Sequence, residues 1–382
     1  MEFSRRKFFR NLGIGTAVGA VSQVPLSDAW VVFAHATANK LGKPILLNKN
    51  ENPYGPSERL RKVINAGSNR ANRYPDIEYD GLVERIAAFH RIKPEQVILG
   101  CGSTEILRVA ACAFLRPGTL LVKASPTYEA IDVYARATGA SIASVPLDRE
   151  FAHDLDAMLR RSNRPGSLVY ICNPNTPTAS ITLRKDLETF IAKLPKNSCV
   201  LIDEAYHHYA GNSASYQSFV DHSVDDERLI VSRTFSQVYG LAGLRVGYGI
   251  AHPAAAKKMR TYLTMGSINE IAVAAAMAAI EDDDGLQMAV QRNLNGRQEF
   301  FNQAISRMLR PVDSHANFVF MNVHRPADEI IREFQENNIL IGRRFPPPFD
   351  TYVRISLGSQ SEMQAFWHVW DKLPRSMAPM SH

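Results

Sequence analysis

The sequence predicts an α/β protein with a large, mainly parallel sheet and a second, smaller α/β domain. Three observations carry that prediction. Between about residues 73 and 283, short apolar runs of strand length alternate with helical stretches. The connections between the runs are long enough for the crossovers that parallel strands require. From residue 284 a long amphipathic helix leads into a second series of strand, helix, strand, strand, helix. Composition agrees. Of 382 residues, 45% are hydrophobic and 21% charged, a globular balance that excludes disorder and collagen-like repeats.

The first 36 residues read as an address. Ser4-Arg5-Arg6-Lys7-Phe8 matches the twin-arginine export pattern, a weakly apolar stretch runs from Leu12 to Val24, and Ala34-His35-Ala36 offers a small-x-small cleavage site. The expectation is export by the twin-arginine route to a periplasmic or extracytoplasmic compartment, with no membrane contact beyond the signal. Proteins on that route cross already folded, often with a cofactor inserted. The remaining expected boundaries are 37–72 for a leading segment and part of the small domain, 73–283 for the large domain, 284–375 for the small domain and 376–382 for a tail.

In the large domain, Val97-Ile98-Leu99 is a strand, and Ser103 to Leu115 a helix starting on a Ser N-cap. Leu120-Leu121-Val122 is a strand and Tyr128 to Thr138 a helix. Three buried strands follow, at Ser167 to Ile171, Val200 to Ile202 and Leu229 to Val231. Residues 267–281 form an Ala-rich helix suited to a close neighbour, and 285–309 a long amphipathic helix. The small domain reads Phe318 to Val323, Ala327 to Asn337, Ile339 to Ile341, Tyr352 to Ser356, and Glu362 to Leu373. The net charge of +6 is spread along the chain with no basic run among aromatics, so no nucleic-acid partner is predicted. Four cysteines at wide spacings, with no CxxC pair, form neither a zinc pattern nor a disulfide framework.

Ligands of an open parallel sheet bind at the carboxyl ends of its strands, and five polar sets stand there. Gly100-Cys101-Gly102-Ser103-Thr104-Glu105 could seat a phosphate with backbone N–H groups, hydroxyls and a helix dipole; alone, Gly-Ser-Thr before a helix is more often a plain N-cap. Tyr128, after Pro126-Thr127, could stack on a flat ring or fill the core. Asn173 to Ser180 is a rigid turn rich in donors and acceptors. Asp203-Glu204-Ala205-Tyr206 ends a buried strand on an acid, which must be paired, by a ligand or by a salt bridge. Ser232 to Gln237, with Arg245 eight residues on, completes an anion site.

Taken in order, these sets resemble the class I/II pyridoxal-phosphate aminotransferases of fold type I, and most nearly the histidinol-phosphate aminotransferase-like group. Leu47-Asn48-Lys49-Asn50-Glu51-Asn52-Pro53-Tyr54-Gly55, Arg73-Tyr74-Pro75-Asp76, Ala316-Asn317-Phe318 and Tyr352-Val353-Arg354-Ile355-Ser356 are similar to segments of that group. The resemblance implies pyridoxal 5'-phosphate as cofactor and a small amino acid or 2-oxo acid as substrate. It implies that Gly102, Ser103, Thr104, Thr234, Ser236 and Arg245 cradle the phosphate. Tyr128 would stack on the ring, Asp203 pair with its nitrogen, and Thr176 and Tyr206 meet its oxygen. Arg354 would grip the substrate carboxylate, with Tyr54 and Asn175 as further substrate contacts. Tyr74 would reach the neighbouring subunit's cofactor, so the chain would be a homodimer.

One position departs in kind. Gln237 stands where the family has the lysine that joins the cofactor and shuttles a proton, and an amide is neither nucleophile nor base near neutral pH. Thr176 and Ala179 replace the usual asparagine and glycine. The resemblance therefore implies an impaired or altered transaminase with cofactor held without a covalent bond, or an exported pseudo-aminotransferase acting as a ligand-binding or partner subunit. A second reading gives the proton to His207 or His208. A third makes Gln237 an introduced change, since lysine and glutamine codons differ at one base. A nicotinamide-dependent dehydrogenase is excluded because Gly13-Ile14-Gly15 lies in the signal and its spacing fails GxGxxG.

Overall fold

The computed structural model describes residues 42–373 except 164–165 and 212. The signal and the tail lie outside the described residues. Seven strands form the central sheet: β2 (Val97–Gly100), β3 (Leu120–Ser125), β4 (Ser141–Pro146), β5 (Leu168–Cys172), β6 (Cys199–Asp203), β7 (Leu229–Thr234) and β8 (Gly247–Ala251). Their order across the sheet is β2-β8-β7-β6-β5-β3-β4. The pairs β4–β3, β3–β5, β5–β6 and β6–β7 are parallel, and β8 runs antiparallel to both its neighbours. The sheet is thus mainly parallel, and β2, β3, β5, β6 and β7 all end at one edge.

Alternation along the strands gives the sheet two buried faces. Tyr170, Cys172, Leu201 and Ile230 face one cluster, with α3 (Ser103–Phe114), α4 (Ala130–Ala137) and α9 (Pro253–Arg260). Val169, Ile171, Val200, Ile202, Leu229 and Val231 face the other, with α1 (Glu58–Gly67), α2 (Asp76–His90), α6 (Arg184–Lys193) and α10 (Glu270–Ile280). The Ala-rich expectation for α10 is met by Ala272, Ala275 and Ala276, all fully buried. The remaining helices before it are α5 (Leu155–Arg161) and the short turns α7 (His207–Ala210) and α8 (Val220–Ser223).

A third hydrophobic cluster gathers the two ends of the described chain. β1 (Ile45–Leu47) pairs in parallel with β10 (Ile339–Ile341), and β9 (Phe318–Asn322) antiparallel with β11 (Tyr352–Ser356). Leu47, Phe320's neighbours Val319 and Met321, and Val353 pack there against α11 (Asp283–Ser306), α12 (Ala327–Glu336) and α13 (Gln360–Lys372). From Pro44 onward the described residues cluster as one compact unit.

One sequence expectation is corrected. Ser103 is not the N-cap of α3. Gly102 holds that place at φ +73°, and no side chain caps the helix. A residue with a Cβ at Gly102 would run into the Arg245 guanidinium. The first turn of α3 therefore keeps backbone N–H groups without an intrahelical partner.

Candidate active site

The carboxyl edge of the sheet brings together most of the residues read from the sequence. Arg245 sits after the turn that follows β7, at φ +57°. Its Nη2 donates to Thr104 Oγ1 at 3.1 Å, and its Nη1 to Ser236 Oγ at 3.2 Å and to the Ala242 carbonyl at 3.1 Å. The Thr234 hydroxyl donates to Ser236 Oγ at 2.9 Å. Gly102, Ser103, Thr104, Thr234, Ser236 and Arg245 are thus one cluster of hydroxyls, helix-terminal N–H groups and a guanidinium. Arg245 forms no ion pair among the described residues. Chemically this donor set suits an anion such as a phosphate.

Glu105 holds the cradle loop from below. Its Oε2 accepts from Cys101 N at 2.7 Å and from the Ser267 hydroxyl at 2.8 Å. The sequence shows Glu105 only as an acid near a helix start, and the sequence carries no signal for its bond to a residue 162 positions away.

Asp203 ends β6 on the face of Tyr170 and Cys172. It is 3% exposed. Oδ2 accepts from the Tyr170 hydroxyl at 2.9 Å, and Oδ1 has no partner. Burial pushes its carboxyl up to about 6, against the lowering effect of Tyr170. A half-satisfied buried carboxylate calls for a charged donor, and a pyridinium N–H is one. The residues present therefore fit the cofactor: a cationic cradle for a phosphate and an orphaned carboxylate oxygen for a ring nitrogen.

Tyr206 is buried, and its hydroxyl accepts from Asn50 Nδ2 at 2.9 Å, keeping its own proton for a ligand oxygen. Burial holds the phenol in its protonated form, well above its ordinary range. Asn50 is the residue sequence reasoning passed over. It is 2% exposed at φ +58°. Its N–H donates to Ser356 Oγ, and its carbonyl accepts from Asn317 Nδ2 at 2.7 Å. It ties the leading segment, Tyr206 and β11 together across 306 residues. A non-glycine residue with positive φ is the only local trace of it.

Arg354 projects from β11. Its Nη2 donates to the Asn48 carbonyl at 2.5 Å and its Nη1 to Thr176 Oγ1 at 3.4 Å, while Nε is buried without a partner. Burial lowers its pKa, partly offset by Tyr206, and no described carboxylate pairs with it. A ligand carboxylate would complete it. Tyr128 lies 38% exposed at the end of β3. Gln237 directly follows Ser236, and its side-chain Oε1 is buried without a donor.

Three further residues read from the sequence are Asn175, Tyr54 and Tyr74. Asn175 is not placed for a substrate. Its Oδ1 accepts from the Thr127 hydroxyl at 2.7 Å, and its Nδ2 donates to the Pro126 carbonyl and Thr178 Oγ1. The amide is spent on bracing one loop to another. Tyr54 lies with its ring 4.6 Å from the Arg292 guanidinium. Tyr74 is 84% exposed in the turn before α2.

The two histidines do not share Asp203's face. Arg233 alternates with Thr234 on β7 and lies buried with Glu204, Nη2 to Oε2 at 2.8 Å. His207 Nδ1 meets the Tyr216 hydroxyl at 3.2 Å and His208 Nε2 the Tyr239 hydroxyl at 3.3 Å. His90 on α2 pairs with the Tyr248 hydroxyl at 3.0 Å. Burial, and then the Arg233 charge, lower all three: His90 and His208 to about 3, and His207 well below its ordinary value. They are neutral polar fillers on the far face of the sheet, and His207 and His208 are engaged there with Tyr216 and Tyr239 and not with the Asp203 site.

These histidines make the fold acid-sensitive. Each stays neutral when folded and takes a proton when unfolded below its ordinary 6.5. Stability is complete above that pH and is lost as pH falls toward about 3, by up to about 1.4 kcal/mol per pH unit for each histidine. The melting temperature should fall steeply between about pH 6.5 and pH 4. His90→Gln, which keeps a partner for Tyr248, should flatten that slope. An unchanged slope would place the acid sensitivity elsewhere.

The comparisons with known proteins bear on this geometry. The profile of aminotransferase class I and II matches residues 42–369. The chain belongs to the aminotransferase class I and II family. It is 34% identical to the histidinol-phosphate aminotransferase of Methylobacillus flagellatus over 87% of this chain and 90% of that protein. It is 33% identical to that of Moorella thermoacetica over 84% of this chain and 83% of the relative. The histidinol-phosphate aminotransferase of Sinorhizobium meliloti, solved in complex with pyridoxal-5'-phosphate, superposes with a TM-score of 0.80 at 26% identity, over 87% of this chain and 90% of that one. The fold is therefore that of the fold type I pyridoxal-phosphate enzymes. The chain is a histidinol-phosphate aminotransferase-like member, and the family's cofactor is pyridoxal phosphate.

Proposed function

We propose that this protein is an exported aminotransferase homologue that holds pyridoxal 5'-phosphate without a covalent bond, and that its amino-group transfer is impaired or lost. The observation that carries the reading is Gln237, set in a site whose other binding groups are kept. Bound there, the cofactor supplies an electron sink for bonds at an amino acid's α-carbon. Asp203 would hold the proton on the ring nitrogen, and the Tyr206 hydroxyl and Thr176 would meet the ring oxygen. Thr104, Ser236 and Arg245, with the first N–H groups of α3, would bind the phosphate. Tyr128 would cover the ring. Arg354 would take the carboxylate of an amino acid or 2-oxo acid as a two-pronged donor. Gln237 offers no amine to join the cofactor and no base to carry the α-proton.

Export rests on Ser4-Arg5-Arg6-Lys7-Phe8 and the apolar stretch after it. A homodimer is the reading supported by Tyr74, whose exposed ring is free to serve a second protomer's site.

The test is direct. The mature chain, residues 37–382, is loaded with pyridoxal phosphate, reduced with borohydride and weighed intact. The expected result is an unmodified mass, with cofactor released on dialysis. A stable adduct on a lysine would overturn the non-covalent reading. Sedimentation of the same sample reports the dimer, and a monomer with bound cofactor would remove Tyr74 from the site. Cell fractionation of the full chain against Arg5→Lys/Arg6→Lys reports the export route; equal distribution of the two would refute it.

A further inference from the structure

We infer that the site prefers the amine form of the cofactor, pyridoxamine 5'-phosphate, over the aldehyde form, and that Gln237 sets the preference. The inference rests on the reading that this pocket holds the cofactor.

The Gln237 side-chain oxygen lies inside the protein. It is shut off from solvent and accepts no hydrogen bond. Buried acceptors are rarely left so, and each is costly. Its place is fixed by the chain on both sides. Ser236, one residue earlier, accepts from Arg245 in the phosphate cradle. Three residues later, Gly240 N donates to the Gln237 carbonyl at 3.0 Å. Gly240 itself has φ +68°, and a Cβ there would collide with the Gly55 carbonyl of the leading segment. The turn carrying Gln237 is therefore clamped between the cradle and that segment. The amide oxygen has no freedom to leave by moving the backbone.

In the family this position supplies an amine that bonds covalently to the aldehyde. An amide forms no such bond, so the aldehyde loses its largest source of affinity here. Its carbonyl oxygen is also an acceptor and does nothing for a second acceptor. A primary ammonium on the same carbon is a donor of up to three hydrogen bonds. It satisfies the Gln237 oxygen with a charge-assisted bond. Asp203 and Arg245 meet groups common to both forms. They set the affinity of each and cancel from the ratio, which is the measure of preference.

Calorimetric titration of the natural protein with each form, separately, gives that ratio. The amine form should bind about 10–100-fold tighter. In Gln237→Leu, which removes the acceptor at similar volume, the ratio should fall to about one. In Gln237→Glu, where a carboxylate faces the ammonium, it should rise above that of the natural protein. Equal or tighter binding of the aldehyde form overturns the preference and leaves the cofactor reading intact. So does a ratio unmoved by both variants. Failure of both forms to bind overturns the cofactor reading, and this inference with it.

Discussion

Gln237→Lys is expected to raise amino-group transfer by about three orders of magnitude or more over the natural chain, in single-turnover assays with pyridoxal phosphate and a panel of amino acids. A positioned general base contributes about 10²–10⁴-fold, and the lysine would also restore the covalent attachment. The surrounding site is ready for it. The cradle, Asp203 and Arg354 stand with the partners given above, and Tyr206 is oriented by Asn50. A lysine introduced one residue from Ser236, which Arg245 touches, would feel that positive charge and have its pKa lowered, so that a useful fraction carries a free amine near neutral pH. Appearance of 2-oxo acid, read by mass spectrometry, is the measurement. If the lysine variant binds cofactor and stays inert, Gln237 is not the sole lesion. Thr176, which faces Arg354 where the family has asparagine, then becomes the next change to reverse. If the natural chain turns over as fast as the variant, a base other than the three far-face histidines is at work.

Ala179 argues that the backbone is sound for this rescue. It stands where the family has glycine, and it keeps φ +59° all the same. That conformation costs an alanine about 1 kcal/mol. It is retained because both its polar backbone groups are engaged: its N–H donates to the Asn175 carbonyl, and its carbonyl accepts from His315 N, each at 2.8 Å. The loop that carries Thr176 therefore keeps its shape without the residue suited to it.

Much of this was legible in the sequence because it is written locally. β5 is apolar throughout, and β6 and β7 carry the apolar runs Val200 to Ile202 and Leu229 to Val231, as strands buried on both faces do. The polar residues that follow these runs, Asn173, Asp203 and Ser232 to Thr234, mark the carboxyl edge. The illegible parts are those set by distant neighbours. β8 reads Gly-Tyr-Gly-Ile-Ala and lacks a strand's composition. Its first glycine is there because a Cβ at Gly247 would strike the backbone N of Ser103. The strand gives up propensity so that the helix terminus can approach the cradle. β4 carries little sequence signal because it is an edge strand, half polar and ending on Pro146. The capping of α3 is set at a distance too. Serine before a helix is a cap by local rules, but the chain enters α3 at φ +73°, which favours Gly102, with the Arg245 guanidinium packed against it. Asn175 shows the reverse error, since a polar residue in a functional loop was spent on holding the loop.

Asp203→Asn should move stability and binding in opposite directions. With its carboxyl raised to about 6 from an ordinary 3.8, Asp203 favours folding below that ordinary value, and the contribution is lost as pH rises through 6. Above pH 6 the cofactor-free protein holds a buried charge with one oxygen unpaired, a cost of up to about 3 kcal/mol. Asparagine removes the charge and still accepts from Tyr170, though its amide nitrogen inherits the empty position. The cofactor-free variant should therefore be more stable than the natural chain at pH 8, by about 1–3 kcal/mol, and equal to it near pH 4. Pyridoxal phosphate affinity should fall about 100-fold or more, because a neutral amide cannot hold a pyridinium proton as a carboxylate does. Thermal melts of both proteins across that pH range, with and without cofactor, read both effects. A variant that is less stable at pH 8 would mean that the Asp203 charge is already satisfied in the free protein. An undiminished affinity would mean that the ring nitrogen lies elsewhere. The opposite movement of the two quantities would mark Asp203 as a residue kept for its ligand at the expense of the empty fold.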